Sequence, residues 1–82
     1  MLNITKATRH AFERFCQRGR IRIRTLVDEK KAWEDLLAKA NDGFPVISPR
    51  GDGSSCYQNQ NLKFVVAPTD KGEGIVVTVL EA

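Results

Sequence analysis

The chain reads as an α+β domain: a short N-terminal strand, two helices, then an antiparallel sheet of about four strands, in the order β-α-α-β-β-β-β. Three observations predict this. Apolar residues recur at helical spacing across 7–16 and again across 32–40. From Phe44 onward the pattern changes to short apolar runs separated by turn residues. The chain has 82 residues, enough for one modest core and a single domain over 1–82. Helices first and strands afterwards place the helices on one face of the sheet.

The elements follow in order. Leu2 and Ile4 alternate, as in a short strand. Thr5 or Thr8 can cap the first helix, because a hydroxyl accepts from the free amides of the first turn. That helix is expected to run to Arg18 and stop at Gly19. Ala7, Ala11, Phe12, Phe15 and Cys16 form its buried face, with His10, Arg14, Gln17 and Arg18 projecting beside it. Ile21-Arg22-Ile23-Arg24 alternates like a strand or an extended connector. Thr25 caps the second helix, with Asp28 and Glu29 in its first turn. Its core face carries Ala32, Trp33, Leu36, Leu37 and Ala40, and Asn41-Asp42-Gly43 ends it. Trp33 and the four phenylalanines are expected in the core, Trp33 facing the sheet.

Strands are expected at 44–48, 56–59, 62–67 and 75–80, with a glycine-rich loop at 49–55 and a turn at 69–74. Pro45 confines the first of these to an edge or a strand start. The last two strands are apolar on both faces, which makes them central or covered on both sides.

Composition narrows the function classes. Hydrophobic residues make up 41% and charged residues 28%, values of a soluble globular protein and not of a disordered chain. No apolar run is long enough to cross a bilayer, and Met1-Leu2-Asn3-Ile4-Thr5-Lys6 has no signal-peptide core. A cytoplasmic protein without membrane contact is expected. Cys16 and Cys56 match no metal or redox spacing, so they read as free thiols. With one histidine in the chain, neither a metal site nor a cofactor is expected.

The net charge of +3 is mild, but its distribution is not. Residues 6–24 hold Lys6, Arg9, Arg14, Arg18, Arg20, Arg22 and Arg24 against the single acid Glu13. Such a stretch is either a solvated helix face or a surface for an anionic partner. His10, Arg14 and Arg18 are separated by one helical turn each, which sets one titratable ring and two guanidinium groups on one stripe. Metal-free RNA cleavage needs these types. Histidine exchanges protons near neutral pH, and arginine pairs with phosphate oxygens while keeping its charge.

Thr8-Arg9-His10-Ala11-Phe12-Glu13-Arg14, continuing to Arg18-Gly19-Arg20-Ile21, resembles the N-terminal "HAxxRxxxRG" signature of small RelE-like, BrnT-like toxin domains. These belong to the barnase–EndoU–colicin–RelE group of ribonucleases. Phe64-Val65-Val66-Ala67-Pro68 and Ile75-Val76-Val77-Thr78-Val79-Leu80 are similar to the closing hairpin of that family. The resemblance implies a metal-independent endoribonuclease toxin that cleaves mRNA or tRNA by 2′-hydroxyl attack. It also implies a cognate antitoxin or immunity protein. His10, Arg14 and Thr78 match catalytic positions, and Arg18 matches the second basic position of the signature.

Further substrate contacts are expected from Lys63, Arg20, Arg22 and Tyr57. Thr78 is open to two roles, phosphate donor or ordinary β-branched strand residue. Tyr57 can stack on a base, donate a proton or pack at a sheet edge; Lys63 can bind phosphate or stand exposed on its strand. The chain has no tyrosine in its last strand and no second histidine, both departures from common RelE-type sites. The alternative function is a non-enzymatic binding protein of the same fold. It would be a nucleic-acid binder, or a phage-type regulator docking on an acidic host protein surface. An antitoxin or immunity role is disfavoured by the basic balance.

Overall fold

The computed structural model describes residues 3–51 and 53–82. The elements are β1 (Asn3–Ala7), α1 (Arg9–Arg18), α2 (Leu26–Asp42), β2 (Phe44–Val46), β3 (Ser55–Asn59), β4 (Leu62–Pro68) and β5 (Glu73–Glu81). The α+β order is the expected one, but Ala7, expected on the first helix, ends β1 instead, because the helix starts only after the Thr8 cap. The β2 strand stops at Val46 instead of continuing to residue 48, and β5 is longer than expected at both ends. Leu2 and the loop residue Asp52 lie outside the described residues.

The sheet has five strands in the order β1-β5-β4-β3-β2. Strands β2 to β5 pair antiparallel, as expected. The N-terminal strand joins them as a fifth, parallel to β5, so the sheet is mixed. Strands β4 and β5 are both internal, which accounts for their continuous apolar character. Pro45 lies on β2, an edge strand, where a missing amide is tolerated.

Both helices contribute to one core. Phe12 and Phe15 of α1 and Ala32, Leu36 and Ala40 of α2 pack with Ile4, Leu62, Phe64, Val66, Val76 and Val79 of the sheet. Thr8 caps α1, its Oγ1 accepting from the amide of Ala11 at 3.1 Å. Thr25 caps α2 through the amide of Asp28 at 3.1 Å, and the Asp28 carboxylate accepts in return from the Arg24 amide at 3.1 Å. The helices are joined by Phe12 and Trp33, whose rings stack at 4.1 Å with 8° between planes. Trp33 therefore links helix to helix instead of serving only the sheet. Arg9 supports this junction. It lies 5.5 Å over the Phe12 ring and 3.0 Å from Glu29 of α2.

Phe44 departs from the expected core: it is 57% exposed, and Ile47 beyond it is 93% exposed. Both belong to the short edge-strand region, which no helix covers.

Two edges of the sheet are closed by side chains. Asn41 of α2 pairs with the outer side of β1, accepting from the Ile4 amide at 3.0 Å and donating to the Ile4 carbonyl at 2.8 Å. A carboxamide thus imitates a neighbouring strand. On β5, the parallel partner β1 covers only the first half, opposite residues 73–76. The second half of that edge is covered by α1. The Thr8 amide donates to the Val76 carbonyl at 2.9 Å, the Thr8 hydroxyl to the Val77 carbonyl at 3.3 Å, and Arg18 Nε to the Val79 carbonyl at 2.9 Å.

A bulge in β5 adds Val77 opposite the Val65/Val66 step of β4. Val76 and Val79 both point into the core although they are three residues apart. Thr78 pairs with Val65 and faces the side of the sheet away from the helices. No helix among the described residues is long and apolar enough to cross a membrane.

Replacing Asn41 with alanine removes both bonds to Ile4. The expected loss is about 1–2 kcal/mol, since the site is only partly buried. Asn41→Asp keeps the acceptor but loses the donor, and should destabilise comparably. Urea unfolding of the three proteins, read as a shift in midpoint at constant slope, measures this.

Candidate functional site

The chemistry-bearing residues separate into three places. The first is the rim where the start of α1 crosses the free half of β5. His10 and Thr78 are 68 positions apart in sequence, and His10 Nε2 lies 3.4 Å from Thr78 Oγ1. At that length the bond is loose, near the outer limit of a hydrogen bond. Thr78 donates to one tautomer of the ring and accepts from the other. Two features create the contact. The Thr8 cap anchors α1 to Val76 and Val77, and the Val77 bulge turns Thr78 to the helix-free face.

Arg14 follows His10 by one turn. Its Nη1 donates to Gln17 Oε1 at 3.1 Å, and the side chain is exposed. Lys63 lies on the same sheet face as Thr78. It is two residues from Val65, the direct partner of Thr78. Such diagonal positions lie about 7–8 Å apart, within the reach of a lysine. The rim therefore presents an imidazole, a hydroxyl and a guanidinium, with Lys63 on the same face of the neighbouring strand. An imidazole there can move a proton, and the two cations can hold an oxyanion.

The second place is a cleft of about 440 Å³ at the far end of α1. Arg18, Arg20 and Lys39 line it together with the β3–β4 turn and the acid Glu81. Arg18 is committed here to the fold. Its Nε is bonded to Val79, and its Nη1 lies 3.8 Å from Glu81. It thus anchors the strand edge and is less free for substrate than its place in the sequence motif implies.

The third place is a groove of about 420 Å³ between the connector and α2, where Arg22 lies with Ile21, Asp28, Lys31 and Asp35. Arg22 is therefore separated from Arg20 despite their alternation in sequence.

Tyr57 belongs to none of these. It pairs with Phe64, faces the helix layer and packs against the core. Its Cβ also closes on Gly43, where an added Cβ would lie 3.1 Å away. Of its three possible roles, packing is the one this position provides. Among the described residues, no group of three His, Cys, Asp or Glu side chains is placed to hold a metal ion.

Sequence reasoning passed over Lys39 and Gln60 of the cleft. The signal for Gln60 was present: a two-residue hairpin turn, Gln60-Asn61, without the usual glycine.

Comparison with known proteins adds no relative: no family model, curated protein or solved structure matches this chain.

Neither thiol is built as a nucleophile. Burial raises the Cys56 thiol above its ordinary range, against a smaller opposing effect of the nearby Lys63 ammonium. Burial also raises Cys16, with Arg9 opposing and Glu29 reinforcing. The folded state thus holds its thiol protons more tightly than the unfolded chain. This stabilisation is complete below the unfolded thiol pKa of about 8.5 and is lost as pH rises above it. Alkylation by iodoacetamide at pH 7.5 should be slow in the native protein and accelerate on unfolding. Rapid native labelling of Cys56 would contradict its burial.

Proposed function

We propose that this protein is a metal-independent endoribonuclease of toxin type, acting on mRNA or tRNA in the cytoplasm and held in check by an antitoxin or immunity protein. The observation that carries the reading is the exposed 3.4 Å contact of His10 with Thr78, beside Arg14. The resemblance of the first helix and last strand to RelE-like, BrnT-like sequences points to the same residues.

In this reading RNA lies across the start of α1 and the helix-free face of β5 and β4. His10 Nε2 takes the proton of a 2′-hydroxyl. The freed oxygen attacks phosphorus, forming the O2′–P bond as the P–O5′ bond breaks. The leaving 5′-oxygen takes a proton from water, and His10 returns its own to solvent. The products are a 2′,3′-cyclic phosphate and a 5′-hydroxyl. Arg14 holds the non-bridging oxygens as charge builds on them, and Lys63 adds a second cation. Thr78 steadies the imidazole in the resting state and donates to a phosphate oxygen when substrate is bound.

A second reading has its own observation. Arg14, Arg20, Arg22 and Arg24 are exposed, and among the described residues no acid forms a salt bridge with them. A non-enzymatic binder of nucleic acid, or of an acidic protein surface, needs that charge and does not need His10.

End-labelled RNA separates the two. His10→Ala should lower cleavage about 10²–10⁴-fold with an unchanged melting temperature. Thr78→Val should reduce it less, and Arg14→Ala should weaken both cleavage and binding. Products should carry cyclic phosphate ends. A wild-type protein that binds RNA without cutting it, with binding insensitive to His10→Ala, would establish the second reading instead.

A further inference from the structure

Helix α1 ends in a Schellman motif. The Ile21 amide donates to the Cys16 carbonyl at 2.9 Å, and the Arg20 amide to the Gln17 carbonyl at 3.3 Å. The left-handed residue of this motif is ordinarily glycine. Here it is Arg20, with φ of 55°. Gly19, the expected stop of the helix, has φ of −85°. It is needed for a different reason, because a Cβ there would lie 2.9 Å from the Phe15 carbonyl oxygen.

The β3–β4 turn repeats this choice. Gln60 is the first central residue of a two-residue hairpin, has φ of 57°, and occupies a position that favours glycine. Among the described residues, Arg20 and Gln60 are the two non-glycine residues with positive φ. They are distant in sequence, yet both line the same cleft. Left-handed backbone carries a cost for L-residues, and such residues concentrate where the side chain is used.

The charges agree with this. Arg18 is bonded to Val79 and faces Glu81, and Lys39 Nζ lies 3.3 Å from Asp35. Arg20 has no acidic partner among these ion pairs. A cation at a helix C-terminus answers the helix dipole, which accounts for Arg18. It does not account for an arginine in the left-handed position, since the carbonyls of Phe15, Cys16 and Gln17 are already bonded by amides 19–21.

We propose that this cleft is a phosphate subsite for an RNA strand, with the Arg20 guanidinium as ligand to one phosphate and the Gln60 carboxamide as an added donor. The subsite rests on the reading of RNA as substrate. Along α1, the eight steps from His10 to Arg18 span about 12 Å, the reach of a few nucleotides. One strand can therefore meet the rim and the cleft together.

The test uses a fluorescein-labelled 2′-O-methyl RNA 12-mer, which lacks the attacking hydroxyl, and measures anisotropy across a salt series. Arg20→Gly should weaken binding about 5–10-fold near 100 mM salt and lower the slope of log K against log salt by about 0.7, the loss of one single-strand phosphate contact. Arg20→Lys should keep the slope. Gln60→Gly should weaken binding a few-fold without changing it. Both glycine variants should hold or raise the melting temperature, because each relieves a left-handed residue.

Wild-type-like binding by both glycine variants would overturn the proposal, as would no 12-mer binding by the wild type. Equal binding of a mononucleotide and the 12-mer would also overturn it, since the site would then take a small phosphate ester and not a strand. The cleavage reading fails separately. If the variants show this pattern but the wild type cuts no RNA, the subsite stands without the reaction. If the wild type cuts RNA and the glycine variants match it in binding, only the subsite is lost.

Discussion

The structure turns on how one strand edge is closed. Strand β5 is nine residues long, but β1 pairs only with its first half. An exposed row of carbonyls beyond Val76 would be an invitation to another chain. Helix α1 occupies that row through the Thr8 amide, the Thr8 hydroxyl and Arg18 Nε. These bonds sit at opposite ends of a ten-residue helix, so they fix both its position and its direction. Much of the surface chemistry follows. The first turn brings His10 over Thr78, the middle leaves Arg14 outward, and the last turn delivers Arg20 to the cleft. The Phe12–Trp33 stack and the Arg9–Glu29 pair then seat α2 on the same unit.

The fold was largely readable from local patterns. Thr8 and Thr25 are caps because a hydroxyl before an apolar period has a defined task, whatever the rest of the chain does. Phe12, Phe15, Leu36 and Ala40 lie where helical spacing puts them, and Pro45 is on an edge. What stayed hidden depends on partners far away in sequence. The parallel pairing of β1 is set by where β5 arrives, and nothing in Asn3-Ile4-Thr5 encodes it. Phe44 looks like core by type, but its strand is too short and too peripheral to be covered.

The site was readable in part for the same reason. The His10–Arg14 spacing is a local property of one helix and needs no tertiary information. The meeting of His10 with Thr78 rests on the resemblance and on the strand edge described above. The alternating arginines were misleading as a group. Arg18 is drawn into the fold, while Arg20 and Arg22 enter different clefts. Their separation begins at the left-handed Arg20, a backbone state that residue type argues against and helix termination imposes.

The extra residue in β5 has a consequence for how this chain tolerates change. Side-chain direction alternates along a strand, so an extra residue held in the regular ladder would reverse everything downstream of it. With Val77 present, Val79 points inward and Thr78 outward. If the bulge were lost with Val77 kept in a regular ladder, the two faces would be exchanged through the end of the strand, whereas deletion of Val77 would leave Thr78 opposite Val65 and Val79 opposite Phe64. In the first case a hydroxyl would be carried into the core and a valine onto the rim. The bulge therefore keeps the parity of the strand in spite of its extra residue. A homologue that lacks the bulge residue, aligned without a gap at this position, would have its last strand read inside out.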